Sequence, residues 1–147
     1  MSNKIYPIGI QNFEKIRKGG YCYIDKTAWI YQMVKTGSYY FLSRPRRFGK
    51  SLLLSTLEAY FQGKKKLFEG LAIEKLEKDW IKYPILHLDL NAEKYTTPEA
   101  LDQVLESALR GWEALYGAQD YEKTFASRFQ GIIQRACEKE GQSVVIL

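Results

Sequence analysis

The sequence predicts an α/β domain in which amphipathic helices alternate with buried strands of a mainly parallel sheet. Apolar runs of strand length occur at residues 39–42, 84–90 and 143–147. Segments with helical spacing of apolar residues separate each run from the next. Because long helical connections return the chain to the same end of a sheet, these strands should run parallel.

A short helix is predicted ahead of the first strand. Residues 25–37 carry apolar side chains at helical spacing. Asp25 or Thr27 can cap the N-terminus of this helix, and Gly37 can end it. The chain should therefore enter the first strand directly from a helix.

The first strand is followed by a basic loop and then by a second helix. The pattern is strand-like at residues 39–42 and becomes helical from Leu52 onwards. One face of that helix is apolar and consists of Leu53, Leu57, Tyr60 and Phe61. A loop that joins a strand to a helix N-terminus is a common place for an anion to bind.

The middle of the chain has the least regular pattern. We expect residues 63–83 to be partly helical and basic. Four apolar residues should pack beneath this segment, namely Leu67, Phe68, Leu71 and Ile73. Pro84 suits the start of the next strand, whose continuous apolar character predicts burial on both faces. Asn91 should then begin a polar turn.

Two further amphipathic helices precede the last strand. The first begins with a Thr97 cap and Pro98 and ends at Gly117. Its apolar stripe consists of Leu101, Val104, Leu105, Ala108, Leu109, Trp112 and Leu115. The second ends at Gly141. Its apolar face consists of Phe125, Phe129, Ile132, Ile133 and Ala136.

The final strand, residues 143–147, has no turn or cap beyond it. A strand with an unprotected edge is a poor place for a domain to finish. We therefore expect the sequence to be the N-terminal piece of a longer chain.

Composition favours a single soluble domain. The 147 residues are 46% hydrophobic and 27% charged, and the apolar runs are too short to cross a bilayer. The first twenty residues lack the apolar block of a signal peptide, which predicts a cytoplasmic protein. Cys22 and Cys137 are far apart and match neither a disulfide framework nor a metal-ligand spacing.

Positive charge is concentrated in one part of the chain. The formal net charge is +5, and residues 44–66 carry seven bases against Glu58 alone. These bases are Arg44, Arg46, Arg47, Lys50, Lys64, Lys65 and Lys66. The partner of this segment should be an anion, such as a nucleotide phosphate, a nucleic acid or an acidic protein surface.

The sequence Gly49-Lys50-Ser51 supplies the groups that a phosphate-binding loop needs. Gly49 allows the backbone to approach the phosphates, and Lys50 can place a positive charge on their outer oxygens. The Ser51 hydroxyl can bind Mg²⁺. The usual motif has a glycine five residues before Gly49, where this chain has Arg44.

Two other interpretations of the basic loop remain open at this point. The loop can be a solvated surface segment whose helix simply begins with Ser51 as its N-cap. Alternatively, the bases can track the backbone of a nucleic acid, which would use Arg44, Arg46, Arg47 and Lys64, Lys65 and Lys66. The second interpretation explains the surplus of bases but not the Gly-Lys-Ser sequence.

The segment Phe41-Leu-Ser-Arg-Pro-Arg-Arg-Phe-Gly-Lys-Ser-Leu-Leu-Leu-Ser-Thr-Leu57, preceded by Tyr23-Ile-Asp-Lys-Thr27, resembles the bacterial AAA-ATPase-like family. The resemblance runs from about Ile8 to Leu147 and is most specific between Tyr23 and Leu57. Proteins of this family often carry a PD-(D/E)XK nuclease-like domain downstream.

The resemblance implies a three-layer P-loop NTPase-like fold with a mainly parallel sheet, incomplete at the C-terminus. Residues 1–37 would be a leading segment and helix, and residues 38–147 a P-loop core that ends before the family's acidic motif. The implied function is that of an ATP-binding module, the ATPase domain of a longer bacterial protein, with ATP and Mg²⁺ as cofactors.

The resemblance also assigns roles to individual residues. The nucleotide-binding set is Arg44, Pro45, Arg46, Arg47, Phe48, Gly49, Lys50, Ser51 and Leu52. Within it, Lys50 has the catalytic role and Ser51 binds the metal. The acidic residues that orient Mg²⁺ and water in such proteins would lie beyond Leu147, and Asp89 is the only internal substitute. Hydrogen bonding of Asp89 to the following turn is its simpler role.

Other residues are weaker candidates. His87 lies in an apolar strand and is expected to be a core imidazole. Four aromatic residues can form part of an adenine wall or of the core, namely Tyr21, Tyr23, Trp29 and Tyr31. Asp25 and Lys26 match the family motif, although Asp25 can simply cap a helix. The expected partner is a nucleotide, with nucleic-acid binding and self-association into a homo-oligomer left open.

Overall fold

The computed structural model describes residues 5–90 and 97–147 and divides into two compact units. The first unit extends to residue 82, and the second comprises residues 83–147. The first contains α1 (Phe13–Lys18), α2 (Thr27–Thr36), α3 (Lys50–Phe61), a 3-10 turn (Lys65–Phe68) and α4 (Ala72–Leu76). The second contains β1 (Ile85–Leu86), α5 (Pro98–Tyr116), α6 (Phe125–Glu140) and β2 (Val145–Ile146). Within the described ranges, no helix is both long and apolar enough to cross a membrane.

The longer helices lie where the sequence predicts them. Gly37 and Gly117 follow the last residues of α2 and α5, as expected. Gly141 ends α6 with a left-handed φ of 66°. Thr124 begins α6 through a capping box, in which its hydroxyl accepts a hydrogen bond from the Ser127 backbone at 3.1 Å. Local capping signals therefore set these boundaries correctly.

Helix α1 is an element that the sequence pattern did not predict. The Asn12 side chain caps it by accepting a hydrogen bond from the Lys15 backbone N–H at 3.0 Å. Phe13 and Ile16 are almost completely buried, and the Phe13 backbone N–H donates to Ser55 of α3 at 3.0 Å. The helix is too short for periodicity alone to reveal it, because only two of its residues face the core.

Aromatic residues form much of the core of the first unit. Phe13 and Phe68 are fully buried, and their ring centroids are 4.8 Å apart. The edge of Tyr23 meets Phe13 at 5.2 Å, and Trp80 lies 5.1 Å from Phe68. The prediction that the middle segment packs its apolar residues inward is confirmed, since Leu67, Phe68, Leu71 and Ile73 are all buried.

Asp25 and Thr27 hold the N-termini of two helices together. One oxygen of Asp25 accepts hydrogen bonds from the Thr27 backbone and hydroxyl, at 2.8 Å and 2.6 Å. The other oxygen accepts from the Ala72 backbone at 2.7 Å, at the start of α4. The buried Thr27 hydroxyl accepts from the Ile73 backbone at 3.1 Å. The N-cap position of α2 is Lys26 rather than Asp25 or Thr27, and Asp25 binds the first backbone N–H group of each helix from outside that position.

The predicted strand at residues 39–42 is not formed in the structure. These residues lie outside any helix or strand, and Tyr39 and Phe41 are 97% and 93% exposed. A strand needs a neighbour to accept and donate its backbone hydrogen bonds. Among the described residues, the two paired strands are β1 and β2, and neither pairs with this segment.

Strands β1 and β2 pair in parallel, with Ile85 opposite Val145 and Leu86 opposite Ile146. The predicted burial of both faces of the first of these strands is wrong. Leu86 is fully buried, whereas His87 and Asp89 are exposed. The predicted core imidazole at His87 is therefore also wrong, because this face of the strand is open to solvent. The turn predicted at Asn91 lies outside the described residues.

Helices α5 and α6 are joined by ion pairs over a small apolar core. Leu86, Leu109 and Ile132 form this core and are almost completely buried. The Arg128 guanidinium binds both oxygens of Glu113, at 2.6 Å and 2.8 Å, and also contacts Glu106. The Arg135 guanidinium binds Glu122 at 2.6 Å. The Arg128 pairs join α5 to α6, and the Arg135–Glu122 pair joins α6 to the loop before it.

The second unit should lose stability in acid. Hydrogen bonds from Arg128 lower the pKa of Glu106 and Glu113. A lowered carboxylate pKa contributes stability above the unfolded value of about 4.3, and this contribution disappears as the pH falls through the folded value. Thermal unfolding between pH 7 and pH 3 would measure the loss. Arg128→Leu should be less stable at pH 7 and should depend less on pH; an unchanged pH profile would contradict the prediction.

Candidate functional site

The basic loop lies on the surface of the first unit, between α2 and α3. Every residue from Ser43 to Ser51 is exposed, and Leu52 is half-buried. Phe48 has 62% of its surface exposed, although it is a large apolar residue. The predicted nucleotide-binding residues therefore form one continuous accessible segment at the beginning of a helix.

Gly49 is the N-cap of α3 and adopts a left-handed conformation, with φ 79° and ψ 16°. A glycine takes this conformation without a steric penalty from Cβ. No side chain caps the helix, and the first residues of any α-helix have backbone N–H groups without intrahelical acceptors. Ser51 lies inside the helix, so the interpretation of Ser51 as the N-cap is wrong.

Lys50 closes the loop on itself. Its ammonium group donates a hydrogen bond to the Arg44 carbonyl at 2.7 Å. This bond connects the first helical residue with the residue that replaces the usual first glycine of the motif. Because the ammonium is exposed and bound only to a neutral carbonyl in the described part of the chain, an anionic ligand can compete for it.

Within the described residues, the three loop arginines have no partner for their charges. In residues 5–90 and 97–147, no acceptor is within bonding distance of the guanidinium groups of Arg44, Arg46 and Arg47. Many bases elsewhere are paired; Lys18 and Lys64, for example, both bind Glu14, at 2.6 Å and 2.7 Å. The loop thus collects positive charge that the described structure does not neutralise.

Arg47 is one of two non-glycine residues in the described chain with a positive φ, at 69°. The left-handed conformation costs a residue with a Cβ roughly 1–2 kcal/mol. The sequence does not reveal this feature, because an arginine does not by itself indicate a left-handed backbone conformation. The Lys50 bond to the Arg44 carbonyl was equally invisible in the sequence.

The site offers part of a magnesium environment. The Ser51 hydroxyl is exposed next to Lys50, in the first turn of α3. The described residues contain no group of three or more histidine, cysteine or acidic side chains arranged to hold a metal ion. Ser51 fits a metal that arrives with nucleotide phosphates, which supply most of its ligands.

The residues that could face an adenine have different surroundings. Tyr23 packs in the core against Phe13. Trp29 is 72% exposed, and the Tyr31 ring lies 5.4 Å from the Lys35 ammonium.

The lysine triplet lies at the start of the 3-10 turn after α3, and Lys64 is the residue that precedes this turn. Lys64 forms an ion pair with Glu14. Hydrogen bonds from Lys18 and Lys64 together lower the pKa of Glu14 to about 2. Lys65 and Lys66 are exposed. One of the three lysines is therefore already neutralised within the first unit.

A comparison with known protein families identifies the family of this sequence. Residues 7–147 match the model of a family described as "Predicted AAA-ATPase". The chain belongs to this AAA-ATPase-like family. The match confirms the resemblance that the loop sequence indicated and covers nearly the same residues.

A relative of this AAA-ATPase-like chain is the "Uncharacterized protein in vnfD 5'region" of Azotobacter chroococcum mcd 1. The two are 39% identical over 149 residues, which include all of this chain and 29% of the relative. The chain thus spans less than a third of the length of the relative that it matches. No solved structure matches the chain.

Proposed function

We propose that this chain is an ATP-binding P-loop module of a longer bacterial protein. The open N-terminus of α3 is the observation that carries the proposal. It has a left-handed Gly49 as its cap, Lys50 and Ser51 in its first turn, and before it three arginines that no described residue pairs. Membership of an ATPase-like family supports nucleotide as the anion.

Each group has a role that follows from its chemistry. The uncapped N–H groups of α3 and the exposed Gly49 backbone bind phosphate oxygens. Lys50 leaves the Arg44 carbonyl and binds the outer phosphates, where its full charge interacts more strongly than with a neutral oxygen. Ser51 binds the magnesium that accompanies the nucleotide. We propose hydrolysis only for the longer proteins of this family.

The proposed fold is the three-layer P-loop arrangement. In that fold residues 39–42, which are unpaired in the described structure, would become the strand that leads into the loop once a second strand pairs with them. Their exposed aromatic and apolar side chains support this role, because such residues favour a pleated surface covered by other layers. Amide hydrogen exchange with and without Mg-ATP would test it, and protection of residues 39–42 is the expected result.

Lys50→Ala should weaken Mg-ATP binding at least about tenfold, because a charge-assisted hydrogen bond contributes about 1.5–3 kcal/mol. Titration of a fluorescent ATP analogue, with and without magnesium, measures the effect. Lys65→Ala is the matched control, since Lys65 is also exposed but lies in the 3-10 turn. Its affinity should stay within about twofold of the unaltered chain, because distant surface charges are screened.

The same titration separates this proposal from its competitors. Equal losses for Lys50→Ala and Lys65→Ala, with a steep dependence on salt, would instead indicate binding to a nucleic-acid backbone. A folded chain that binds neither ligand would indicate a scaffold. Either result would overturn the ATP-binding proposal.

A further inference from the structure

Trp80 combines a strained backbone with a buried polar group that no described residue satisfies. Its φ is 45°, and a positive φ is an outlier for a residue as bulky as tryptophan. Its indole nitrogen is buried, and none of the described residues accepts a hydrogen bond from it. Each feature alone is unfavourable, and both occur in the same residue. The conformation of Trp80 therefore destabilises the first unit locally.

The surrounding contacts hold Trp80 in this conformation. The buried Glu77 carboxylate accepts hydrogen bonds from the backbone N–H groups of Lys78 and Asp79, at 3.0 Å and 3.1 Å. These bonds fix the chain directly before Trp80. A Cβ at Gly63 would lie 3.0 Å from the Trp80 carbonyl oxygen, so the two segments pass close to each other. A strained residue persists only where its surroundings determine its conformation in this way, and such residues cluster at binding sites and switch regions.

Trp80 contacts the helix of the candidate site and lies close to the end of the first unit. Its ring centroid is 5.8 Å from that of Tyr60, which belongs to α3. Tyr60 is ~15 Å from Lys50 along the axis of this helix, given the rise per residue of an α-helix. The first unit ends at residue 82, and residues 77–84 form neither helix nor strand. The strain is therefore located in the segment that leads from α4 to the second unit.

We propose that Trp80 is a conformational switch that links α3 to the segment leading to the second unit. The inference rests on the proposed ATP-binding function and concerns how binding at that site affects the rest of the chain. When phosphates bind at the N-terminus of α3, the helix shifts as one rigid element and moves Tyr60 against the Trp80 ring. Trp80 then leaves the left-handed region, and its indole N–H reaches an acceptor.

The two unfavourable features of Trp80 make such a switch possible. Both are present in the described conformation and are released in the alternative one, whereas the packing of the Trp80 ring against Phe68 and Tyr60 favours the described conformation. These opposing contributions bring the two conformations close in free energy. A ligand changes the populations of two conformations only by the difference between its affinities for them, so a small free-energy gap is what a switch requires.

Amide hydrogen exchange of the unaltered chain tests the switch without any substitution. In the described conformation the Lys78 and Asp79 amides are bound to Glu77 and should exchange slowly. Because movement of Trp80 loosens the turn that these bonds hold, Mg-ATP should accelerate exchange at residues 78–80. Unchanged exchange at these residues, in a sample saturated with Mg-ATP, would overturn the inference.

Trp80→Phe should weaken Mg-ATP binding about fivefold or more, because it favours the described conformation by removing the unsatisfied donor. The substitution keeps an aromatic ring beside Tyr60. Trp112→Phe is the matched control, since Trp112 is also half-buried and lies 5.8 Å from an aromatic neighbour, Phe129, but belongs to the second unit. Its affinity should stay within about twofold of the unaltered chain, as for other substitutions away from the site. Titration with the fluorescent ATP analogue measures both variants, and thermal unfolding checks that they fold.

The outcomes distinguish a failure of the switch from a failure of the proposed function. If the unaltered chain does not bind Mg-ATP, the proposed function fails and the switch fails with it. If it binds Mg-ATP and Trp80→Phe changes the unfolding midpoint but not the affinity, Trp80 has only a packing role and the proposed function stands. If Trp80→Phe does not fold, hydrogen exchange at residues 78–80 of the unaltered chain decides alone.

Discussion

Replacement of Phe68 by alanine should lower the free energy of unfolding of the first unit by about 3–5 kcal/mol. The Phe68 side chain is fully buried. Its ring centroid lies 4.8 Å from that of Phe13, 5.1 Å from that of Trp80 and 6.4 Å from that of Tyr60. Alanine would remove all of these contacts and leave a cavity that short helices on either side can fill only in part.

Urea unfolding followed by circular dichroism would measure this loss. Tyr39→Ala is a suitable control, since Tyr39 is also aromatic but 97% exposed, and it should change stability by less than about 0.5 kcal/mol. Phe68→Leu should fall between the two, because leucine fills part of the space. If Phe68→Ala were no more destabilising than Tyr39→Ala, the aromatic core would not be the main support of this unit.

Helix positions were predictable because their signals are local. The apolar faces of α5 and α6 and the glycines that follow them lie within a few residues of each boundary. Such signals hold regardless of what the helix later packs against. Helix α1 was missed since its pattern contains just two buried residues, Phe13 and Ile16, which meet their partners only through the tertiary fold.

Strands were less predictable because their pairing is not local. The run at residues 39–42 has the composition of a strand, yet in the described structure no strand pairs with it and it remains exposed. At His87 the apolar neighbours in sequence suggested burial, whereas the two-stranded pairing of β1 leaves that side chain in solvent. The sequence pattern indicates that a segment favours a strand, but the strand forms only where a second strand pairs with it.

In the candidate site, too, the features with local signals were predictable and those that depend on contacts across the loop were not. The order of Gly49, Lys50 and Ser51 predicted a helix N-terminus, and the structure places α3 there. Their roles in binding stay predictions. The loop closure by Lys50 and the left-handed backbone of Arg47 depend on contacts across the loop. For this reason the sequence indicated the type of site but not the backbone geometry of its loop.

Alanine at Gly131 should destabilise the second unit, although alanine is intrinsically the better helix former. A Cβ at this position would overlap Oε1 of Glu122. The Glu122 carboxylate is buried and binds Arg135 at 2.6 Å, so it cannot swing aside without losing this ion pair. We expect a loss of about 1–3 kcal/mol, which is typical when a methyl group is forced into filled space.

Gly111 in α5 provides the matched control. A Cβ at Gly111 would have no heavy atom within 4 Å, so Gly111→Ala should stabilise the helix by about 0.5–1 kcal/mol. Thermal unfolding of the two variants should therefore give midpoints that move in opposite directions from that of the unaltered chain. Helix propensity alone predicts stabilisation at both sites. If both variants were stabilised, Glu122 and Arg135 would not fill the space beside Gly131, and the tight packing of α6 on its preceding loop would be wrong.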